Sequence, residues 1–137
     1  MASSNEIISK LNSFTKLNTA NLKIKYINHN TKDYKYNAYI EAWRIKIEKI
    51  GNLNYPIDST KHSLYGSLVL DVALNADGNV KEINIVRSSG NKVLDEHAIK
   101  IIKIAAPFAK FPHEIQKETD VLHITRTWQF RDGRIIQ

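Results

Sequence analysis

The sequence contains no cysteine. Disulfides, thiolate metal sites and cysteine nucleophiles are thereby excluded. The compartment is not, since a protein of an oxidising compartment need not carry cysteine. Long apolar runs are missing too: no stretch approaches the roughly 18 residues that read as a membrane span. Glycine (5) and proline (3) are sparse, so each turn signal that does occur is informative. Internal repeats, low-complexity tracts and blocks of like charge are absent. The start, "SNEIISKLNSF", is polar-interleaved and lacks the apolar centre of a signal peptide. "MASS" at the very beginning reads as a cloning remnant, in which case any anchor or export signal lies outside this sequence.

What is present suits one domain with a real core: 137 residues, 42% of them hydrophobic. A formal charge of +6 favours acidic partners. The basic residues are scattered, however, and a solvated basic surface explains them better than a nucleic-acid footprint does.

The first 31 residues read as a separate N-terminal segment. Ile7, Ile8, Leu11 and Phe14 stand at helical spacing between Asn5 and Leu17. "NLKIKYI" (Asn21 to Ile27) then alternates, with Leu22, Ile24 and Tyr26 on one side, as a short strand or extended arm. Residues 32–137 form the main unit. Tyr36, Ile40, Trp43, Ile47 and Ile50 recur at steps of three and four, predicting a helix from Asp33 to Ile50. Thr31 or Asp33 is placed to cap it, and Gly51 to end it. "YGSLVLDVAL" alternates with Leu68, Leu70, Val72 and Leu74 on one face. Asp77-Gly78 predicts a hairpin, and Val80 to Arg87 the return strand with Ile83 and Ile85 toward the core. A second helix, Lys92 to Ala105, buries Leu94, Ala98, Ile101, Ile102 and Ala105. Pro107 and Pro112 break the chain, and a last strand runs from Val121 to Phe130 with Leu122, Ile124, Trp128 and Phe130 on one face. Arg126 falls in that same apolar phase without an explanation. The order is α-β-β-α-β. Closing it as a split βαβ unit sets the last strand beside the first, antiparallel, at one edge of a three-stranded sheet with both helices on one face. That edge has no internal proline to protect it, which suits it to strand addition.

Candidate chemistry is thin. "VRSSGNKVLDEHAIKII" (Val86 to Ile102) offers Ser88 and Ser89 before a helix bearing Asp95 and His97. A nucleophile elbow needs Gly-x-Ser-x-Gly, and here the first glycine is missing. Asp95 and His97, two apart on a helix, point in different directions. The stretch reads as a strand-to-helix joint: Gly90 for the turn, the serines on its backbone, Asn91 as cap, acids at the helix start. His29, His62, His97, His113 and His123 show no zinc spacing, so no metal and no cofactor are expected. Asp95–Glu96 and Glu118–Asp120 read as solvated charges near element ends. Trp43, Trp128 and Tyr36 lie on predicted core faces, as packing residues and not base-stacking platforms.

The order of Tyr55-Pro56, Gly66, an alternating strand, Asp77-Gly78, Val80, Ser88-Ser89-Gly90, Leu94-Asp95, Ala98, Phe108 to Pro112 and "TDVLHITRTWQF" resembles the C-terminal domain of TonB, the periplasmic energy transducer of Gram-negative bacteria. "YIEAWRIKIEKIGNLNYP" resembles the variant of that family with a long first helix. The resemblance spans about Lys32 to Phe130. It implies an α+β domain, two helices on one face of a three-stranded sheet, that is a binding module and not an enzyme. It implies a full-length protein anchored in the inner membrane beside ExbB and ExbD, with a proline-rich span across the periplasm; neither anchor nor span occurs in this sequence. Its partner would be the TonB box of an outer-membrane transporter importing iron complexes or cobalamin. The expected contact residues are Asn52, Asn54 and Tyr55 before the sheet, and Val121, Leu122, His123, Ile124, Thr125, Arg126, Thr127, Trp128, Gln129 and Phe130 on the last strand. Such an edge can also pair with a second copy, giving a homodimer. Two other readings are a TolA-like envelope scaffold and, more remotely, a basic nucleic-acid module.

Overall fold

The computed structural model describes residues 21–56, 64–131 and 133–137. The expected helix at Asn5 to Leu17 and the histidine His62 lie outside the described residues. Five strands and three helices follow in the order β1 (Ile24–Ile27), α1 (Tyr34–Leu53), β2 (Gly66–Asn75), β3 (Val80–Arg87), α2 (Lys92–Ala105), α3 (His113–Gln116), β4 (Val121–Arg131) and β5 (Arg134–Ile136). The domain is α+β.

α1 starts where Asp33 caps it, the Asp33 carboxylate accepting from the Lys35 N–H. Its inward stripe buries Tyr36, Tyr39, Ile40, Trp43 and Ile47. Gly51 does not end the helix as expected. It lies in the last turn, where a Cβ would stand 2.2 Å from Ile135 Cδ1. Glycine is needed there so that α1 can approach β5. Asn54 is the C-cap.

The β2–β3 hairpin forms as the Asp77-Gly78 dipeptide dictates. Gly78 takes φ +89°, and its N–H donates to the Asn75 carbonyl at 2.9 Å. Leu68, Leu70, Val72 and Leu74 are buried, as their alternation requires. α2 is capped by Asn91, which accepts from Val93 and Leu94 N–H, and it buries Leu94, Asp95, Ala98, Ile101, Ile102 and Ala105. Both long helices share one apolar cluster with the inner residues of β2 and β4.

β4 pairs antiparallel with β2 over ten consecutive residues, from Gly66↔Phe130 to Asn75↔Val121, with no register shift. This is the expected closure of the split unit. The sheet nevertheless has five strands and not three. β1 pairs parallel with the first part of β4, Ile24↔Val121 to Ile27↔Ile124. β5 pairs antiparallel with its end, Gln129↔Ile136 to Arg131↔Arg134. The expectation of a bare outer strand is thereby corrected. The Asp120 carboxylate captures the Lys23 N–H at 2.9 Å while the Lys23 carbonyl accepts from Asp120 and Val121, which seats β1. Gly133, with φ +69°, turns the chain into β5. Ile24 and Tyr26 are exposed, and Ile27, from the other phase, is buried.

Candidate functional site: the outer edge of β4

Four residues of β4, Thr125 to Trp128, have no strand on their outer side among the described residues, since β1 ends opposite Ile124 and the last residue of β5, Ile136, lies opposite Gln129. The Val121 N–H donates outward to the Lys23 carbonyl at 3.1 Å. Backbone groups in a strand alternate sides, so His123, Thr125, Thr127 and Gln129 face outward with Val121. Thr125 and Thr127 therefore offer two N–H donors and two carbonyl acceptors in the open window. Backbone groups left so at a sheet edge are a template for another strand.

The opposite edge of the sheet, on β3, has no further strand beside it among the described residues but is blunted. Leu70 pairs with Ile85 and Val69 with Arg87, so Val86 is an extra residue; Ala73 pairs with Glu82 and Leu74 with Val80, so Lys81 is another. Two bulges, with Lys81, Glu82 and Arg87 beside them, are the devices that natural edges use against pairing. β4 has no bulge in its window, and a single charged residue, Arg126.

Around the window, side chains divide by face. Leu122, Ile124, Trp128 and Phe130 are buried toward the helices. On the other face His123 Nδ1 meets Asp71 Oδ2 at 2.6 Å, the Thr125 hydroxyl donates to Asp71 Oδ1 at 2.9 Å, and Tyr26 stacks on His123 with ring centroids 4.6 Å apart. This cluster locks β1, β4 and β2 together across the face away from the helices. At the start of β4, the Tyr36 hydroxyl donates to Glu118 at 2.9 Å, and Lys35 pairs with Glu118 at 2.5 Å. Lys25 of β1 lies over the Tyr36 ring, 5.4 Å from its centre.

Asn52, Asn54 and Tyr55 are not on the window. Asn52 Oδ1 accepts from the Ile135 N–H at 2.8 Å and so holds β5 against α1. The Asn54 carbonyl receives His97 Nε2, and its side-chain amide donates to the Ile50 carbonyl at 2.8 Å. The Tyr55 hydroxyl donates to the Leu64 carbonyl at 2.6 Å, with its ring edge-on to Phe130. Of the three, Asn52 bears directly on the edge, through β5.

The Ser-Ser-Gly joint is built as a turn. Asp95 accepts from the Ser88 hydroxyl, the Ser89 hydroxyl at 2.6 Å and the Ser89 N–H at 3.0 Å. Burial pushes the Asp95 carboxyl up, but those three hydrogen bonds outweigh it and leave the pKa below the ordinary value. His97 is committed to Asn54, so no relay reaches either serine. Among the described residues no group of three or more metal-ligating side chains forms, and no helix is long and apolar enough to cross a membrane.

Comparison with known families decides what this edge belongs to. The profile of the family described as Gram-negative bacterial TonB protein C-terminal matches residues 51–131, more than half of the chain. The chain belongs to the TonB C-terminal family. Among solved structures it is similar to the NMR solution structure of the Helicobacter pylori TonB C-terminal domain, at 20% identity, over 74% of this chain and 94% of that one, with a TM-score of 0.48. No curated protein matches the sequence. TonB C-terminal domains lie in the periplasm of Gram-negative bacteria and act in transport. The matched span takes in β2, β3, α2, α3 and β4. β1 lies before it, and β5 begins three residues after it. The two strands that bracket the open window are thus outside the part of the chain that defines the family.

Proposed function

We propose that this domain is the transporter-binding end of a TonB-type energy transducer, and that an extended segment, the TonB box of an outer-membrane transporter, adds to β4 at the open window. The observation that carries this reading is the bare stretch Thr125–Trp128, with outward Thr125 and Thr127 backbone groups, on a sheet whose other edge is bulged. Main-chain pairing tolerates varied box sequences because the side chains of the added strand alternate away from the hydrogen bonds. Four residues make a short ladder, so the box extends it by displacing β5, the shorter of the two brackets, which buries only one side chain. Asn52 acts on binding through its bond to β5. In the full-length protein, ExbB and ExbD engage an N-terminal part anchored in the inner membrane, and work derived from the proton motive force reaches the transporter through this joint to admit iron complexes or similar nutrients. The domain acts by binding and not by catalysis. A second copy of the chain would use the same edge, so dimerisation and box binding exclude each other.

An amide-shift titration with a capped TonB-box peptide tests the proposal. The largest shifts are expected at Thr125 to Trp128, extending to Gln129 and Arg131. A peptide that binds while perturbing the β3 edge, and not β4, overturns it.

A further inference from the structure

We infer that Arg126 reads a carboxylate on the strand that adds to β4, which makes an acidic side chain on the helix-facing side of that strand a determinant of partner choice. The inference rests on the strand-addition reading and specifies its chemistry.

Arg126 stands in the middle of the open window, in the phase whose neighbours Ile124 and Trp128 are buried. On one flank its cross-strand partner is Leu70, fully buried and apolar. The other flank is the bare edge. The side chain is half-buried and, among the described residues, makes no hydrogen bond and no ion pair. Glu41 on α1, the acid that senses the charge of Arg126, is already held by Arg44. Arg44 holds Glu41 through Nε at 3.1 Å and through Nη2, and holds Glu48 through Nη1. Glu41 still senses the charge of Arg126, though Arg44 is the main cause of its lowered pKa. A guanidinium carries five donors in a planar fork that matches a carboxylate. Placed in the apolar phase of a strand with no donor hydrogen-bonded among the described residues, it is a local inconsistency of the kind found at functional positions.

The chain itself vacates the matching position. β1 runs parallel to β4 up to Ile27, opposite Ile124. A turn at Asn28 then takes it off the edge: the Asn28 N–H donates to the Thr31 hydroxyl, the Asn30 N–H to the Asn28 side chain at 2.8 Å, and the Thr31 N–H to the Asn28 carbonyl. The first helix-facing position this leaves open is the one opposite Arg126. A strand occupying it places one side chain beside the guanidinium, and its next helix-facing side chain, two residues away, beside Trp128. The implied pattern is acidic and then apolar at alternate positions.

The test uses the full chain, isotope-labelled, and a capped TonB-box peptide made with Glu or Gln at each position in turn. One position is expected at which Glu binds about tenfold more tightly than Gln, the scale of one charge-assisted bond. Arg126→Gln, its fold checked by its spectrum, should abolish that difference. Arg126→Glu should transfer the preference to a peptide with Lys at the same position. If the peptides shift Thr125–Trp128 but show no Glu preference, or keep it in Arg126→Gln, the inference is overturned while strand addition stands. If no peptide shifts those amides, strand addition itself falls, and this inference with it.

Discussion

Replacing Ile135 with alanine tests whether β5 stands in a partner's way. Ile135 is the only side chain of β5 that is buried. Burying an isoleucine contributes roughly 1.5–3 kcal/mol, and the bond from its N–H to Asn52 about 1 kcal/mol. Against this, ordering three backbone residues costs roughly 1–2 kcal/mol each. These terms nearly cancel, so β5 docks by a small margin supplied by its pairing with Gln129 and Arg131. Removing about 2 kcal/mol with the side chain undocks it. A partner that must displace β5 then gains up to roughly 30-fold in affinity. Hydrogen exchange and peptide titration read the two halves of the argument. The Gln129 and Arg131 amides should lose protection, Leu122 and Ile124, which face β2, should keep theirs, and the TonB-box peptide should bind more tightly. Asn52→Ala, which leaves the core intact, should act in the same direction by about fivefold for about 1 kcal/mol. Weaker peptide binding by both variants, with the β2–β4 ladder intact, would refute the reasoning, because β5 would then be part of the binding surface.

Thr125→Pro removes an outward N–H at one end of the window and spares the main-chain bonds to β2, but also deletes the Thr125 hydroxyl bond to Asp71; peptide binding measured by calorimetry should fall by tenfold or more, and urea stability should fall by about 1 kcal/mol for the lost hydroxyl bond, a loss that Thr125→Val shares without the loss of binding. Asp95→Ala strips three hydrogen bonds from the joint between β3 and α2 and should lower urea stability by about 2–3 kcal/mol at neutral pH. Because the folded Asp95 pKa is depressed, its contribution is present above the unfolded value of about 4 and disappears as pH falls through the folded value; the gap between wild type and Asp95→Asn should therefore narrow in denaturation series taken below about pH 4. Gly78→Ala combines a positive φ with a Cβ placed 2.1 Å from the Phe108 carbonyl oxygen, and calorimetry should show a loss of roughly 2–4 kcal/mol.

Local signals carried most of the fold. α2 follows from Asn91 and a stripe of apolar residues, and the β2–β3 hairpin from one dipeptide, because both are decided by neighbours in sequence. β1 and β5 are decided elsewhere. The alternation of Leu22, Ile24 and Tyr26 suggests an inward face, yet Tyr26 stacks outward on His123 and Ile27 turns in. A four-residue edge strand takes its orientation from the strand it meets, here through a Lys23–Asp120 contact 97 residues apart. β5 repeats the signal of the first hairpin, since "RDGRII" is a turn dipeptide followed by apolar residues, but three residues are too few for a period to show. Asn52 is singled out only by the family resemblance, as a contact residue, while its effect on the edge depends on Ile135, 83 residues later. The placement of the last strand beside the first did follow from topology rules. Its coverage by two further strands did not, and that coverage leaves four of the ten last-strand residues without a neighbour on the outer side among the described residues. Arg126 could be singled out from its phase alone, while its free flank became visible only once β1 and β5 were in place.

The unbroken ten-residue register between β2 and β4 has a mechanical consequence. A pull along β4, applied through a strand added to its edge, loads that ladder in shear: its hydrogen bonds lie across the pull and share the force at once, where peeling would take them one by one. The added ladder is loaded in the same way but is shorter, and it is not backed by the buried side chains of Leu70, Val72 and Leu74. Under rising tension it gives way first. If a partner strand adds as proposed, the join to it acts as a mechanical fuse, and the domain survives each release intact and ready to engage again.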